Sequence, residues 1–581
     1  MVKKYLAFFL YALALLATGV IYVMILRNST ATRDFFATGG YYLIFLLSLL
    51  WSITLLRCWR HYKPDVRAFM KSNWPGIIFT IILTAVVFIS VKPEFRILSD
   101  ETNLLAVSKS LVYEKRTDNI ITGKWYYDNF YPHIRDVEKR PLLFPFLVST
   151  LHAVLGYRAE NVFLLNAMVL LLLFALIYIN IRKILGDIWA AATVLLVASQ
   201  PIAVQCATSG GYELLSCLFV VICFICLRWF LKAPSGLPLL LLWLSLLMLA
   251  SIRYEGAAAF AIVMSFLFVF RYLKLKIFSE AWPVYFATPI LLLPMFCQRV
   301  LKSDPRVAFE AFGKPPFSIK YLVENNMIFL RSLVDFKFYI PFATIIDLAA
   351  VLSLFYFGYL LLRGRIIKEA YRKHLFVISA AYLAFSWILY TSYHTGDMTH
   401  PSMARYYVIF FVLASVVASL FAAQFQFFRK RPGNILVVSV ALFLLYNPIS
   451  VQDRFSRSQT LPREYRYVLD VLKKASAKSR NFLVITNRPG MYTVHDYGAV
   501  NFPFANTDNS IIMDFKYRLY SEIYVIQDIN LTDYRPSSDT ILSPKFKLEV
   551  VSELRTNAPY ITRISRVVGI EEDASAVQMV K

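Results

Sequence analysis

The chain has 581 residues, 58% of them hydrophobic and only 17% charged, with a formal net charge of +24. A soluble fold of this size needs more charge to cover its surface, so the composition points to a polytopic helical membrane protein. The positive charge does not imply a nucleic-acid partner, because the basic residues lie mostly in short loops between apolar runs, a pattern that sets topology.

Apolar runs recur from Tyr5 to about Pro448. The first, at 5–26, follows Met1-Val2-Lys3-Lys4. It is longer than a signal peptide's apolar region and has no clean small-residue cleavage site, so it is predicted to remain as a signal anchor. At roughly twenty residues per crossing the chain holds about thirteen spans. They fall near 5–26, 41–57, 75–91, 161–181, 188–205, 212–231, 237–253, 256–272, 281–298, 341–362, 374–393, 405–427 and 434–450. With the N-terminus cytoplasmic, the basic stretches Arg57 to Lys71, Arg182-Lys183, Arg271 to Lys276, Arg363 to Lys373 and Arg429-Lys430-Arg431 all face inward. The C-terminus is then outside, with three sizeable outer pieces: 92–160, 299–340 and 451–581. The six cysteines lie in or beside spans, and Cys223 and Cys226 sit inside an apolar run, so neither a zinc site nor a disulfide framework is expected.

Two amphipathic pieces are predicted in the first outer loop. Glu101 to Arg116 carries Leu104, Val107, Leu111 and Val112 on one helical face, and Pro141 to Gly156 is too short to span and suits an interfacial helix. Between them, Trp125-Tyr126-Tyr127-Asp128-Asn129-Phe130-Tyr131-Pro132-His133 reads equally as a sugar-stacking stretch or an interfacial aromatic belt. The second outer loop carries Arg299, Lys302, Arg306, Lys314 and Lys320 and an amphipathic run from Ser318 to Asp335, a lid or a structural cap. The tail reads as a small α/β domain, with a helix from Glu464 to Lys478 and strands at Asn481 to Thr486, Glu522 to Ile529 and Phe546 to Val551. It has no Gly-rich phosphate loop and no nucleophile elbow, so acceptor binding or scaffolding is its expected role.

One short stretch, Leu98-Ser99-Asp100-Glu101-Thr102, sets two acids where a long apolar segment ends. The plain reading is a helix start, with Ser99 as N-cap and the acids in the first turn. The sharper reading makes the carboxylate, fixed at the water–lipid boundary, the acceptor of a proton from an attacking hydroxyl. The helix dipole weakens such a base, which a good leaving group such as phosphate tolerates.

A span, then this acid pair, then Lys139-Arg140-Pro141-Leu142-Leu143-Phe144-Pro145 opening an interfacial helix that ends in Leu-Gly, resembles the type C glycosyltransferase superfamily. The pattern is closest to the protein O-mannosyltransferases and the lipid A aminoarabinose transferase. The resemblance covers about 75–450, leaving 1–74 as two extra N-terminal spans and 451–581 as the extracytoplasmic α/β domain. It implies transfer of one sugar, with inversion, from a polyprenyl-phosphate carrier to a glycan, lipid or protein acceptor outside a bacterial-type inner membrane; a monomer is the default expectation. Carried over by position, Asp100 matches the catalytic base and Glu101 its acidic neighbour. Lys139 or Arg140 matches the donor-phosphate contact, where a guanidinium stabilises the leaving phosphate. Arg253-Tyr254-Glu255-Gly256 resembles the family's Arg-x-Glu-Gly turn, and Arg405 opens the twelfth span. Both arginines are donor-phosphate candidates, with interfacial snorkelling as the plainer alternative. Glu213, Tyr126, Tyr127 and His400 are the substrate-binding candidates. His133, His394, His400 and Glu138 lack metal-ligand spacing, so no cofactor is expected to be required, a divalent ion being the less favoured alternative. The tryptophan-rich motif of oligosaccharyltransferases is absent. The rival class is a transporter or flippase, which predicts internal repeats and ionisable residues near the midplane. The sequence shows no obvious repeat, and its ionisable residues gather at outer span ends.

Overall fold

The computed structural model describes Leu16, residues 19–20, 22–24, 29–62, 65–126, 129–273, 282–302, 315–334, 343–363, 369–446, 459–476 and 481–571. Among the described residues six helices are long and apolar enough to cross a membrane: Ser29–Tyr62, Val66–Ser90, Asn161–Leu185, Glu213–Lys232, Ala370–Thr391 and Ser402–Ala422. Asp187–Ala198 and Pro201–Ala207 are together long and apolar enough for a further crossing but meet at 76°, as in a broken span or a re-entrant loop. Pro201 cannot donate the backbone bond that would continue the first helix. Gln200 occupies the break, and its amide binds Asp347 at 2.9 Å and accepts from the Ala343 N–H at 3.2 Å.

Shorter apolar helices, Gly236–Ala250, Glu255–Val269, Thr344–Leu360 and Gly433–Leu445, coincide with four more of the expected spans. The stretch expected at 281–298 is broken into Trp282–Phe286, Thr288–Leu291 and Leu293–Lys302, with prolines near the start of each piece. The expected first span, 5–26, lies almost wholly outside the described residues. All six cysteines are buried and unpaired.

Two helices close the sheet-bearing end of the bundle. Leu98–Tyr113 buries Leu104, Val107 and Leu111, and Leu143–Leu155 buries Leu143, Phe144 and Phe146. Gly156, at φ +78°, ends the second in a backbone conformation that suits glycine. The two are tied side to side by His152, which bonds Ser108 at 3.1 Å and Asn161 at 2.9 Å.

The tail and the first outer loop share one seven-stranded sheet, in the order β2-β1-β4-β3-β5-β7-β6. The strands are β1 Asp118–Tyr126, β2 Asn129–Val137, β3 Phe482–Ile485, β4 Gly498–Val500, β5 Glu522–Asn530, β6 Phe546–Arg555 and β7 Tyr560–Ile570. The aromatic stretch expected at headgroup level is therefore a β-hairpin, joined to the tail through Gly123 opposite Ala499. The alternation Asp118-Asn-Ile-Ile-Thr-Gly-Lys-Trp-Tyr126 is too polar to signal a strand. Its partners in the tail supply the burial.

Central β3 runs parallel to both neighbours and is buried on both faces. Phe482 and Val484 join the core that continues into the helices, through Tyr465, Val468 and Leu472 of helix Thr460–Ser476. Leu483 and Ile485 face a second core with Val500, Phe502 and Ile523.

Lys124 pins the hairpin to the tail. Its ammonium is fully buried, 3.0 Å from Asp514, 3.8 Å from Asp508 and 2.5 Å from the Ser510 hydroxyl, while the Tyr126 hydroxyl donates to Asp514 at 3.3 Å. Removing one partner of a buried pair leaves the other charge uncompensated. Lys124→Met is expected to destabilise the hairpin–tail junction by about 3–5 kcal/mol, read as faster amide exchange in β1 and β4. The double variant with Asp514→Leu should recover most of that loss. Unchanged exchange in the single variant would mean that the pair contributes nothing to the junction.

Candidate functional site

The acid pair lies at the start of helix Leu98–Tyr113, but the helix is not capped by Ser99 as expected. It begins two residues earlier, with Ile97 in the N-cap position and no side-chain cap. The Ser99 hydroxyl turns to Asp100 at 3.4 Å. Glu101 supplies a bond across the helix start in its place, since its carboxylate accepts the Arg96 backbone N–H at 2.9 Å. The two acids therefore face different surroundings. Glu101 is 1% exposed and packs beside Gly210, whose missing side chain leaves room for Phe95 and the Glu101 Cβ.

Asp100 enters a cluster drawn from distant parts of the chain. Arg140 pairs with its Oδ1 and Arg405 with its Oδ2. Arg140 also pairs with Glu138, and Arg405 reaches Glu213 at 2.8 Å. The Arg140 and Arg405 side chains are 8% and 6% exposed, against 14% for Asp100. Arg253 stands one ring away. It is held by Glu255 at 3.0 and 3.3 Å and lies 5.2 Å from the centre of the Tyr406 ring, with Arg405 5.1 Å from the same ring. Tyr406 is thus flanked by two guanidinium groups, a cation–π arrangement.

Each arginine is fixed by its own segment. The Arg140 turn is held by Gln298, whose amide donates to the Glu138 and Arg140 carbonyls at 2.8 and 2.7 Å. Tyr254 donates to the Lys139 carbonyl at 2.5 Å. The Arg253 turn joins two helices so tightly that a Cβ on Gly256 would stand 2.5 Å from the Ala250 nitrogen. Arg405 starts a 3₁₀ turn, Arg405–Tyr407, locked by the Tyr407 hydroxyl on the Gly396 carbonyl at 2.8 Å.

Of the residues singled out in the sequence, the structure brings Asp100, Arg140, Arg405 and Glu213 together and sets Arg253 beside them. Lys139 is exposed next to buried Arg140. Glu101 turns away from the arginines. His400 is exposed, bonded to Ser402 at 2.7 Å. Tyr126 lies in β1, and Tyr127 falls outside the described residues. Glu138, Gln298 and Tyr406 complete the cluster without having been selected for it. Tyr406 adjoins Arg405 in sequence, and Glu138 lies two residues before Arg140, the signals that could have found them. Among the described residues no group of three or more His, Cys, Asp or Glu side chains is placed to hold a metal ion.

The electrostatics separate the two acids further. Burial alone would raise the Asp100 carboxyl, but the charges and hydrogen bonds of Arg405 and Arg140 outweigh it and hold the group at about 2. Glu101 has Arg96 near it, but that charge does not offset its burial. Burial pushes it up to about 7 despite the Arg96 backbone bond, and Glu213 adds to the rise.

Apolar crossings, helices closing one end, a sheet domain beyond them and a buried carboxylate–arginine cluster between define a polytopic helical membrane protein with a polar site at its helix ends. Solved structures similar to it include two of ArnT from Cupriavidus metallidurans. The apo form has 10% identity and a TM-score of 0.49, covering 85% of this chain and 98% of that one. The form bound to undecaprenyl phosphate has 12% identity and a TM-score of 0.43 over the same shares. No family model and no curated protein matches the sequence.

Glu101 gives a pH signature. Its folded value, about 7, lies above its ordinary 4.5. Between the two, the unfolded chain releases a proton that the folded chain keeps, so stability is greatest below the lower value and falls as pH rises toward the upper one. Thermal unfolding in detergent should show the wild type losing stability from about pH 5 to about pH 7, with a flatter profile in Glu101→Gln. Parallel profiles would contradict this assignment.

Proposed function

We propose that the chain is a membrane glycosyltransferase that moves one sugar from a polyprenyl-phosphate carrier to an acceptor on the side of the membrane that bears the sheet domain. The observation that carries this reading is the Asp100 carboxylate held by Arg140 and Arg405 where the apolar helices end. Two guanidinium groups at the membrane boundary suit the phosphate of a lipid carrier, whose apolar tail lies among the helices. A carboxylate between them suits the proton of an acceptor hydroxyl.

The reaction balances without a redox partner. The acceptor oxygen attacks the anomeric carbon, and the carbon–oxygen bond to phosphate breaks. The leaving phosphate takes the electron pair against Arg140 and Arg405, and Asp100 takes the hydroxyl proton. In this reading the free enzyme stores its two cations on Asp100. When the donor phosphate engages them, they release the carboxylate, whose basicity rises toward its ordinary range as the acceptor arrives. An acceptor that is already ionised, such as a phosphate, needs no base, and Asp100 then serves only to hold the arginines.

Arg253 and Tyr406 back the phosphate site, Glu213 orients Arg405, and Glu101 positions the loop before Asp100. Lys139 and His400 are left at the rim. The clustering of ionisable groups at helix ends favours this reading over transport, which needs them near the midplane. The finer assignments belong to the same proposal: about thirteen crossings in an inner membrane, with a cytoplasmic N-terminus and an outer sheet domain, inversion at the anomeric carbon, and a monomeric enzyme.

Transfer by the purified protein in lipid, with radiolabelled polyprenyl-phosphate sugars and a membrane extract as acceptor, tests the reading. Asp100→Asn should lower transfer to a hydroxyl acceptor by about 10²- to 10⁴-fold with donor binding retained. Arg405→Lys cannot hold Asp100 and Glu213 in the same planar fork and should lose at least about tenfold. Full transfer by Asp100→Asn would remove the acid from the chemistry.

A further inference from the structure

A cavity of about 860 Å³ opens between the Leu98–Tyr113 helix, the β1–β2 hairpin and the tail. This is within the size of small-molecule sites, roughly 300–1,000 Å³. Tyr113, Trp125, Tyr126 and Phe130 give it aromatic faces. Lys109 and Asp496 line it as an ion pair at 2.7 Å, with Lys109 also donating to the Thr493 carbonyl at 2.8 Å and lying 5.1 Å from the Phe130 ring centre. Glu114, Asn129, Asn481 and Arg518 add polar groups at the edges, and only Ile120 and Leu519 are aliphatic.

This lining selects among ligands. A lipid chain needs aliphatic walls, and two such residues do not make one. An anion site needs a group of converging cations, but Lys109 is met by Asp496 and Glu114 by Arg135 at 2.5 Å, so the lining offers an anion one exposed cation, Arg518. Flat aromatic faces bordered by amides and charged groups match a sugar ring, which offers C–H bonds on its faces and hydroxyls around its edge. Position narrows the ligand further. Lys109 and Tyr113 are nine and thirteen residues beyond Asp100 on one helix, so about 13 and 20 Å further along its axis, with Lys109 about half a turn around. One sugar unit cannot touch both Asp100 and this cleft.

We propose that the cleft binds a saccharide chain of several units, the glycan of the acceptor, and holds it beyond the reacting carboxylate. Calling it the acceptor rests on the glycosyl-transfer reading; binding of a saccharide does not. The occupied cleft explains why a hairpin from the first outer loop is built into the tail's sheet: both sides of the sugar platform must be held in register.

The test uses the full-length chain in nanodiscs on an array of soluble glucans, mannans, galactans and arabinans, short and long, with unrelated peptides as controls. The wild type should retain one glycan class, long chains better than short. Tyr113→Ala and Arg518→Ala, both at exposed side chains, should each lower retention by about tenfold or more, and Asp100→Asn should retain as the wild type does. No glycan retained by the wild type, equal retention by Tyr113→Ala, or retention of peptides instead would each overturn the proposal. The two readings separate in the same preparation. Glycan retention without sugar transfer from any donor would leave the cleft and remove the enzyme reading, and transfer without glycan retention would do the reverse.

Discussion

The Asp100 carboxylate between Arg140 and Arg405 is the interaction around which the rest of the chain is arranged. It joins the start of helix Leu98–Tyr113, the turn before helix Leu143–Leu155 and the first turn of a membrane span, segments up to 305 residues apart. Burying a lone carboxylate at this depth is costly, and burying two lone guanidinium groups more so. Together they satisfy one another, with Glu138 pairing a second time with Arg140 and Glu213 with Arg405, so that three acids surround two arginines. The sheet-bearing ends of the helices can therefore close over polar groups.

The sheet domain takes part in holding that cluster in place. The segment leading into Asp100 runs from Val91 to Ile97, and Arg466 of helix Thr460–Ser476 reaches Glu94 there at 3.2 Å. Phe95 packs against the Tyr465 ring, and the Tyr465 hydroxyl bonds His495 at 2.5 Å. From the other side, the Glu94 N–H donates to the Thr208 carbonyl at 3.1 Å, and Glu101 ties the same segment to the start of its own helix. The acid is thus fixed by a loop wedged between the helical bundle and the tail. The continuous core through both parts agrees with this, since one apolar cluster runs from the membrane helices to β3, β5 and β7.

The helical part was legible because burial in lipid and burial in protein both demand long apolar runs, so periodicity and length suffice for most expected spans from the second onward. Short helices and the broken 282–302 stretch show where proline and tight turns alter the length but not the place. The sheet was legible only in part. β3, β5 and β6 carry β-branched runs, whereas β4 has three residues, β7 is interrupted by Arg563 and Arg566, and the polar hairpin becomes a strand pair through partners nearly four hundred residues away. In the site, charged residues at span ends marked Asp100, Arg140, Arg405 and Glu213, because charge at membrane depth needs a reason. The residues themselves do not separate Asp100 from Glu101 or Arg140 from Lys139; the resemblance singled out Asp100 and left Lys139 and Arg140 open. Adjacent residues on a helix or turn point different ways, and only the surrounding packing decides which enters the cluster.

In the proposed mechanism the Asp100 carboxylate and a ligand phosphate compete for the same two arginines. Binding of a polyprenyl phosphate to wild type and Asp100→Asn, in matched nanodiscs by native mass spectrometry, measures that competition directly. If the arginines are the phosphate site, removing the carboxylate's charge frees them, and the variant binds the lipid phosphate more tightly than the wild type. Equal or weaker binding by the variant would mean that the phosphate goes elsewhere, leaving the cluster as a structural closure of the helix ends.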